Sequence, residues 1–167
     1  MIICEKYNEK RLEEVSCIIM AFYASNDKDR CITCEEVKPY MNDIYYVYDT
    51  EVGNILAIIV GGFEDTDEDI IPYHMTFPIK LIYYDPTFLI DYSEDELDQA
   101  LLWLVKEFCA DKNFWAIEYD IPEKQILTQE DPHIIRALRG NGFVRHKNDE
   151  NRYLRVASTI NYNEIYR

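Results

Sequence analysis

Several residues carry side chains that can move a proton. The run Phe114–Ile121 alternates so that Trp115, Ile117 and Tyr119 share one strand face while Ala116, Glu118 and Asp120 share the other. A carboxylate at Glu118 can take a proton from an attacking amine, directly or through water. The plainer reading is a solvent-facing strand carboxylate. His74 and His133 are alternative bases. His133 falls at a helix start, where the dipole disfavours a charged imidazole, and a lone surface histidine accounts for each of them as well. Tyr119, Tyr83 and Tyr84 can give a proton, but a chain with 14 tyrosines puts one near almost any site.

Cys31-Ile32-Thr33-Cys34 has C-x-x-C spacing beside a helix start, where a thiol pKa is lowered and a redox pair can form. A zinc site needs two more ligands, and the sequence has no second C-x-x-C and no His-x-x-x-His pair, so no metal is expected. The simpler account is coincidence, with Cys34 packed inside a helix. The acidic run Glu64–Asp69 lacks the spaced ligands and turn glycine of a calcium loop and reads as a solvated hairpin tip. Five cysteines with no export signal point to reduced thiols.

The elements that must position these residues are legible in the periodicity. Ile2–Tyr7 reads as a strand. Asn8 then precedes a helix whose Leu12, Val15, Ile18, Ile19, Phe22 and Tyr23 recur at three- and four-residue steps, ending in a polar loop over 25–30. Thr33 with Glu36 is a capping-box pattern for a short helix to about Met41. Ile44–Asp49 and Ile55–Phe63 read as strands around a hairpin loop at 50–54, with Gly61-Gly62 marking a bulge or a close backbone approach. Ile79–Tyr84 is the next strand, stopped by Asp85-Pro86. Ser93 with Glu96 is a second capping box, and behind it Leu97, Leu101, Leu104, Val105 and Phe108 form the strongest apolar stripe, ending near 111–113. After the strand that carries Glu118, Asp131-Pro132 opens a helix with Ile134, Ile135 and Leu138 on its apolar face, closed by Gly140-Asn141-Gly142. Phe143–His146 and Tyr153–Val156 read as a final pair of strands. Strand–helix–strand units mixed with hairpins imply an α/β (α+β) fold, a mixed sheet with helices on its faces.

The 167 residues suit one domain, 1–167, with 158–167 as an extra edge strand, a dimer contact or a tail. Seventeen Lys and Arg against 32 Asp and Glu leave a net charge of −15, the wrong sign for nucleic acid or an anionic membrane surface. A hydrophobic share of 48% argues against disorder. The longest apolar run is too short to span a bilayer, and the start Met-Ile-Ile-Cys-Glu-Lys has no signal-peptide zones, so a cytoplasmic protein is expected.

The segment Ala137-Leu138-Arg139-Gly140-Asn141-Gly142-Phe143, followed by Arg152-Tyr153-Leu154-Arg155, resembles the last helix, the Gly-Phe step and the closing strand of the GNAT superfamily of N-acetyltransferases. The element order extends the resemblance over nearly the whole chain. It implies a mostly antiparallel sheet of about seven strands, opened as a V between the fourth and fifth. It also implies transfer of an acetyl group from acetyl-CoA to an amine, which the negative charge suggests is cationic. By the same resemblance Glu118 and Tyr119 are the catalytic candidates, and Tyr83, Tyr84, Asp85, Tyr92 and Ser93 the cofactor-binding ones. A homodimer is an open possibility. A GNAT-fold protein that has lost acyl-CoA binding and serves as an interaction module is the alternative.

Two positions depart from the family pattern. The span 85–93 has neither the glycines nor the Arg or Gln of the family's pyrophosphate loop, and all five glycines of the chain are placed elsewhere. In many members a tyrosine four residues before the Gly of the Gly-Phe step protonates the departing thiolate, and that position here is Leu138.

Overall fold

The computed structural model describes residues 1–26, 43–62, 76–112, 116–121, 131–149 and 151–156. The expected helix at 33–41, the Cys31/Cys34 pair, the acidic run at 64–69, His74, Trp115 and the segment 158–167 lie outside the described residues. In chain order the elements are β1 (Ile2–Lys6), a 3-10 turn (Glu9–Arg11), α1 (Leu12–Asn26), β2 (Ile44–Asp49), β3 (Ile55–Gly61), β4 (Thr76–Tyr84), α2 (Phe88–Asp91), α3 (Glu94–Ala110), β5 (Ala116–Asp120), α4 (Pro132–Gly140), β6 (Val144–Arg145) and β7 (Arg152–Val156). Among the described residues no helix is long and apolar enough to cross a membrane.

The seven strands form one sheet in the order β1-β2-β3-β4-β5-β7-β6. Every neighbouring pair is antiparallel except β4 and β5, which run parallel. A short loop joins β2 to β3, whereas a parallel pair needs a crossover, and between β4 and β5 α2 and α3 supply it. The mixed, mostly antiparallel sheet with helices on both faces is the architecture expected from the sequence.

Residue alternation assigns the two faces. Val47, Ile59, Ile82 and Tyr119 pack with α3 and α4 on one side. Ile44, Ile58, Val60 and Leu81 meet Val15, Ile19 and Phe22 of α1 on the other. The α3 stripe is the centre of the larger core: Leu97, Leu101, Leu104, Val105 and Phe108 are all fully buried. Each such side chain contributes about 1.5–3 kcal/mol relative to leaving it in water.

Helix starts follow their caps. Ser93 Oγ accepts from Glu96 N at 3.2 Å and Glu96 Oε1 accepts from Ser93 N at 3.1 Å, the reciprocal box expected from the spacing. Asp131 Oδ1 accepts from Ile134 N at 3.3 Å, with Pro132 in the first turn.

Two boundaries differ from expectation. β4 begins at Thr76 rather than Ile79, because Thr76, Phe77 and Pro78 pair with β5, and Lys80 is an extra residue of β4 where Val60 and Gly61 of β3 face Leu81 and Ile79. The span after Asp85 contains the one-turn helix α2 instead of irregular loop. Asp85 Oδ1 accepts from Thr87 N at 2.8 Å and Thr87 Oγ1 at 2.7 Å, and the fully buried Phe88 ring anchors the turn.

Gly61 marks a close approach, as the sequence suggested. A Cβ there would sit 2.6 Å from Phe77 Cε1 and 2.9 Å from Phe108 Cε2, both rings of the main core. Gly61→Ala is therefore expected to cost about 1–3 kcal/mol in urea unfolding through overpacking. An unchanged midpoint would show that the two rings yield freely.

Candidate active-site cleft

The register of β4 and β5 builds the cleft. The parallel pair runs from Thr76 opposite Ala116 to Ile79 opposite Tyr119. β4 then continues to Tyr84, still paired with β3 at Ala57, while β5 ends at Asp120 against Arg152 of β7. Among the described residues no strand pairs with the outer edge of β4 beyond Ile79, and the two strands enclose a V.

Tyr119 reaches across that V. Its hydroxyl accepts from Ile82 N–H at 3.2 Å, and the side chain is fully buried. A main-chain donor that would otherwise face an empty wedge is satisfied by a hydroxyl from the opposite strand.

Two cavities flank the end of β4. On the α3–α4 side, at the mouth of the V, a cavity of 270 Å³ is lined by Tyr83, Tyr84, Pro86, Leu89, Asp131 and Ile134. On the α1 side, one of 290 Å³ includes Glu14, Cys17, Tyr83 and Asp85 in its lining. Glu14 is already engaged: Oε1 accepts from Ile55 N at 2.7 Å and Oε2 from Arg11 Nη1 at 3.1 Å.

The sequence-derived candidates fall into separate groups. Tyr84 and Tyr119 lie on the α3–α4 side, while Tyr83 packs on the α1 side, edge-on to Phe22 at 6.1 Å. Glu118 is half-buried on the strand face opposite Tyr119, level with Pro78 and Leu154. Adjacent strand residues point to opposite faces, so Glu118 and Tyr119 do not converge. Asp85 ends β4. Ser93 is committed to its capping box, and the Tyr92 hydroxyl donates to Asp49 at the end of β2. That bond raises the Tyr92 hydroxyl to about 12 and holds the Asp49 carboxyl below its usual range. Leu138 is fully buried in the main core. Asp91, Glu94, Asp95 and Glu96 cluster around the start of α3.

The structure also assembles a polar cluster that the sequence did not suggest. His133 is buried, 6% exposed, in place of the surface histidine expected. Its Nδ1 lies 2.6 Å from Asp98 Oδ1, and Arg136 Nη2 lies 3.1 Å from Asp98 Oδ2. Its ring meets Tyr84 edge-on at 6.3 Å. Tyr84 in turn hydrogen-bonds Asp131. Burial drives the Tyr84 hydroxyl up, aided by the carboxylates of Asp131 and Asp98. Burial opposes charge on Asp98, yet the His133 and Arg136 hydrogen bonds outweigh it and hold that carboxyl low. At Asp131 burial wins over the Ile134 amide, the Tyr84 hydroxyl and the nearby cations, and the carboxyl is raised. Among the described residues no group of three or more His, Cys, Asp or Glu is placed to hold a metal ion.

The fold recurs in solved structures. An N-acetyltransferase from Staphylococcus aureus Mu50 superposes with a TM-score of 0.62 at 14% identity, over 95% of this chain and 99% of that one. A GNAT-family acetyltransferase from Streptococcus pneumoniae gives 0.58 at 11% identity, over 92% and 96%. The chain has the GNAT fold. An aminoglycoside acetyltransferase in complex with coenzyme A and kanamycin gives 0.55 at 12% identity, over 94% and 95%. No family model and no curated protein matches the sequence.

The raised Asp131 carboxyl has a consequence for stability. A carboxyl raised on folding binds its proton more tightly in the folded chain, so its contribution falls as pH rises from the ordinary carboxylate range through the folded value. Asp131→Asn keeps an acceptor for Ile134 N and for Tyr84 but carries no charge. Its stability relative to wild type, read by urea unfolding, is expected to rise between about pH 4 and pH 7. A constant difference across that range would contradict a raised Asp131.

Proposed function

We propose that the chain is a GNAT-type N-acyltransferase that transfers an acetyl group from acetyl-CoA to a cationic amine. The observation that carries this reading is the divergence of β4 from β5 after Ile79, with a cavity at its mouth. A fold alone does not fix an activity, and this opening is what favours acyl transfer here.

The residues present suit the thioester arm. Ile82 N–H faces into the V and already holds an oxygen, that of Tyr119, which makes it a ready donor for an acyl carbonyl. Tyr83 and Tyr84 line the mouth. For the diphosphate, the capping box takes the N–H groups of Ser93 and Glu96 and leaves those of Glu94 and Asp95 at the helix start to meet an anion. Acetyl-CoA supplies an activated acyl group. The chain supplies the wedge, the Ile82 donor and carboxylates near the end of β4. Glu14 and Asp85 in the α1-side cavity give a field that favours a cationic acceptor. In this reading Glu118 takes the amine proton through water, Tyr119 lies against the acyl group, and Tyr83, Tyr84, Asp85, Tyr92 and Ser93 border the cofactor.

A second reading, a binding module without acyl-CoA chemistry, is favoured by the Tyr119 bridge, by the acidic start of α3 and by Leu138. Calorimetric titration with acetyl-CoA, followed by thiol release on a panel of diamines, polyamines and basic peptides, separates the two. Saturable binding with turnover is expected. Folded protein that binds no acetyl-CoA would leave only the module.

Tyr119→Phe removes the oxygen from Ile82 N–H and leaves a buried donor unpaired, at a cost of about 1–3 kcal/mol in the free chain. Acetyl-CoA is expected to recover part of that stability in a thermal shift assay, because its carbonyl re-satisfies the donor. An identical shift in wild type and variant would place the acyl group elsewhere.

A further inference from the structure

The outer edge of β1 and the exposed side of α3 form a groove away from the cleft. β1 is the first strand of the sheet, and among the described residues only β2 pairs with it. Thr50 N donates to Met1 O and Tyr7 N to Ile44 O, each at 2.9 Å, so the odd-numbered residues of β1 are the ones that bond β2. In an antiparallel ladder the alternate residues turn their main-chain groups the other way. The N–H and C=O groups of Ile2, Cys4 and Lys6 therefore point outward, along an edge that can template a further strand.

The side chains of Ile2 and Cys4 lie on the α3 side of β1. Beside them a cavity of 440 Å³, larger than either cavity at the end of β4, is lined by Ile2, Asp95, Glu96, Gln99, Ala100 and Trp103. Trp103 is 38% exposed, a large ring left in water on a helix whose core stripe is fully buried. Its indole Nε1 donates to Glu107 Oε1 at 3.2 Å, which holds the ring in place. Glu107 also reaches the next outward residue of β1: burial first, and then the Glu107 carboxylate, push the Cys4 thiol up to about 12. At the far end of β1, Asp111 closes off Lys6 at 2.8 Å. The groove thus has an apolar floor with Asp95 and Glu96 before Trp103 and Glu107 after it. Its lining has no Lys or Arg, and α3 carries Glu94, Asp95, Glu96, Asp98 and Glu107 against Lys106 alone.

We infer that the β1 edge and this groove dock an extended segment of a partner protein as a further strand, with an apolar residue against Trp103 and Ile2 and a basic residue two positions to either side. Alternate residues of a strand share a face, so the two basic residues stand about 13 Å apart. Glu96 and Glu107 are about 16 Å apart along the helix, and lysine or arginine side chains cover the difference. Main-chain pairing supplies affinity, and the groove supplies specificity. A second copy joined edge to edge would set one acidic α3 beside another, so the charge selects a basic partner over self-association. The docking surface does not depend on acyl-CoA chemistry and stands with either reading of the cleft.

The test uses the whole chain at about 0.15 M salt and a fluorophore-labelled peptide with Lys-Thr-Leu-Thr-Lys at its centre and threonines on either side. Fluorescence anisotropy is expected to show saturable one-to-one binding. Trp103→Ala and Glu107→Lys, both at exposed positions, are each expected to weaken it at least about tenfold. N-methylation of the peptide separates strand pairing from charge attraction. Methylating the alternate residues whose N–H groups face β1 is expected to abolish binding, and methylating the other set to leave it. Equal loss from both sets, or binding that neither substitution weakens, overturns the docking site. So does an absence of binding to chain shown folded by circular dichroism. Sedimentation of the chain alone is expected to show no association through this edge. A dimer that Trp103→Ala dissociates would make the occupant a second copy and overturn the basic partner.

Discussion

The parallel pairing of β4 with β5, and its end at Ile79 and Tyr119, is the constraint on which the rest of the structure depends. Parallel neighbours require a crossover, and α2 and α3 provide it over the same face that α4 later covers. Because β4 stays with β3 while β5 stays with β7, the described strands part here, and Tyr83, Tyr84, Asp85 and Tyr119 are arranged around that opening. Tyr119 bridges it from within. Tyr84, Asp131 and Ile134 border it on the helix side, and Tyr83 and Asp85 on the other.

Charge gives the opening its character. The start of α3 carries Asp91, Glu94, Asp95 and Glu96, where acidic residues stabilise a helix and oppose a polyanion. Capping box and acidic turn make α3 a firm structural element, so the helix start serves the fold first and leaves an anion fewer main-chain donors. Among the described residues the sheet offers the opened edge of β4 rather than a glycine-rich loop.

Local signals made much of the fold legible. Ser93 and Glu96 marked the start of α3, Asp131-Pro132 that of α4, and the stripe from Leu97 to Phe108 marked the core face. Gly61 was recognisable as a close approach, though not its partners Phe77 and Phe108. Pro78 concealed the first residues of β4, and the bulge at Lys80 within β4 is not visible in periodicity. The cleft was less legible. Alternation placed Tyr119 and Glu118 on opposite faces, but the bond from Tyr119 to Ile82 depends on where two strands part. Asp98 and His133 lie on different helices, and neither position is unusual in its own segment; α3 packing on α4 is what brings them together. Side-chain pairs made by tertiary packing have no local signature.

The central claim is that the wedge between β4 and β5 receives the acyl group. Backbone amide NMR of the folded chain, titrated with acetyl-CoA, tests it most directly. The account predicts saturable shifts centred on the Ile82 amide and on Tyr119, with smaller ones at Tyr84 and Ser93. Saturable shifts confined to another surface, or none at all while the chain remains folded, would contradict it.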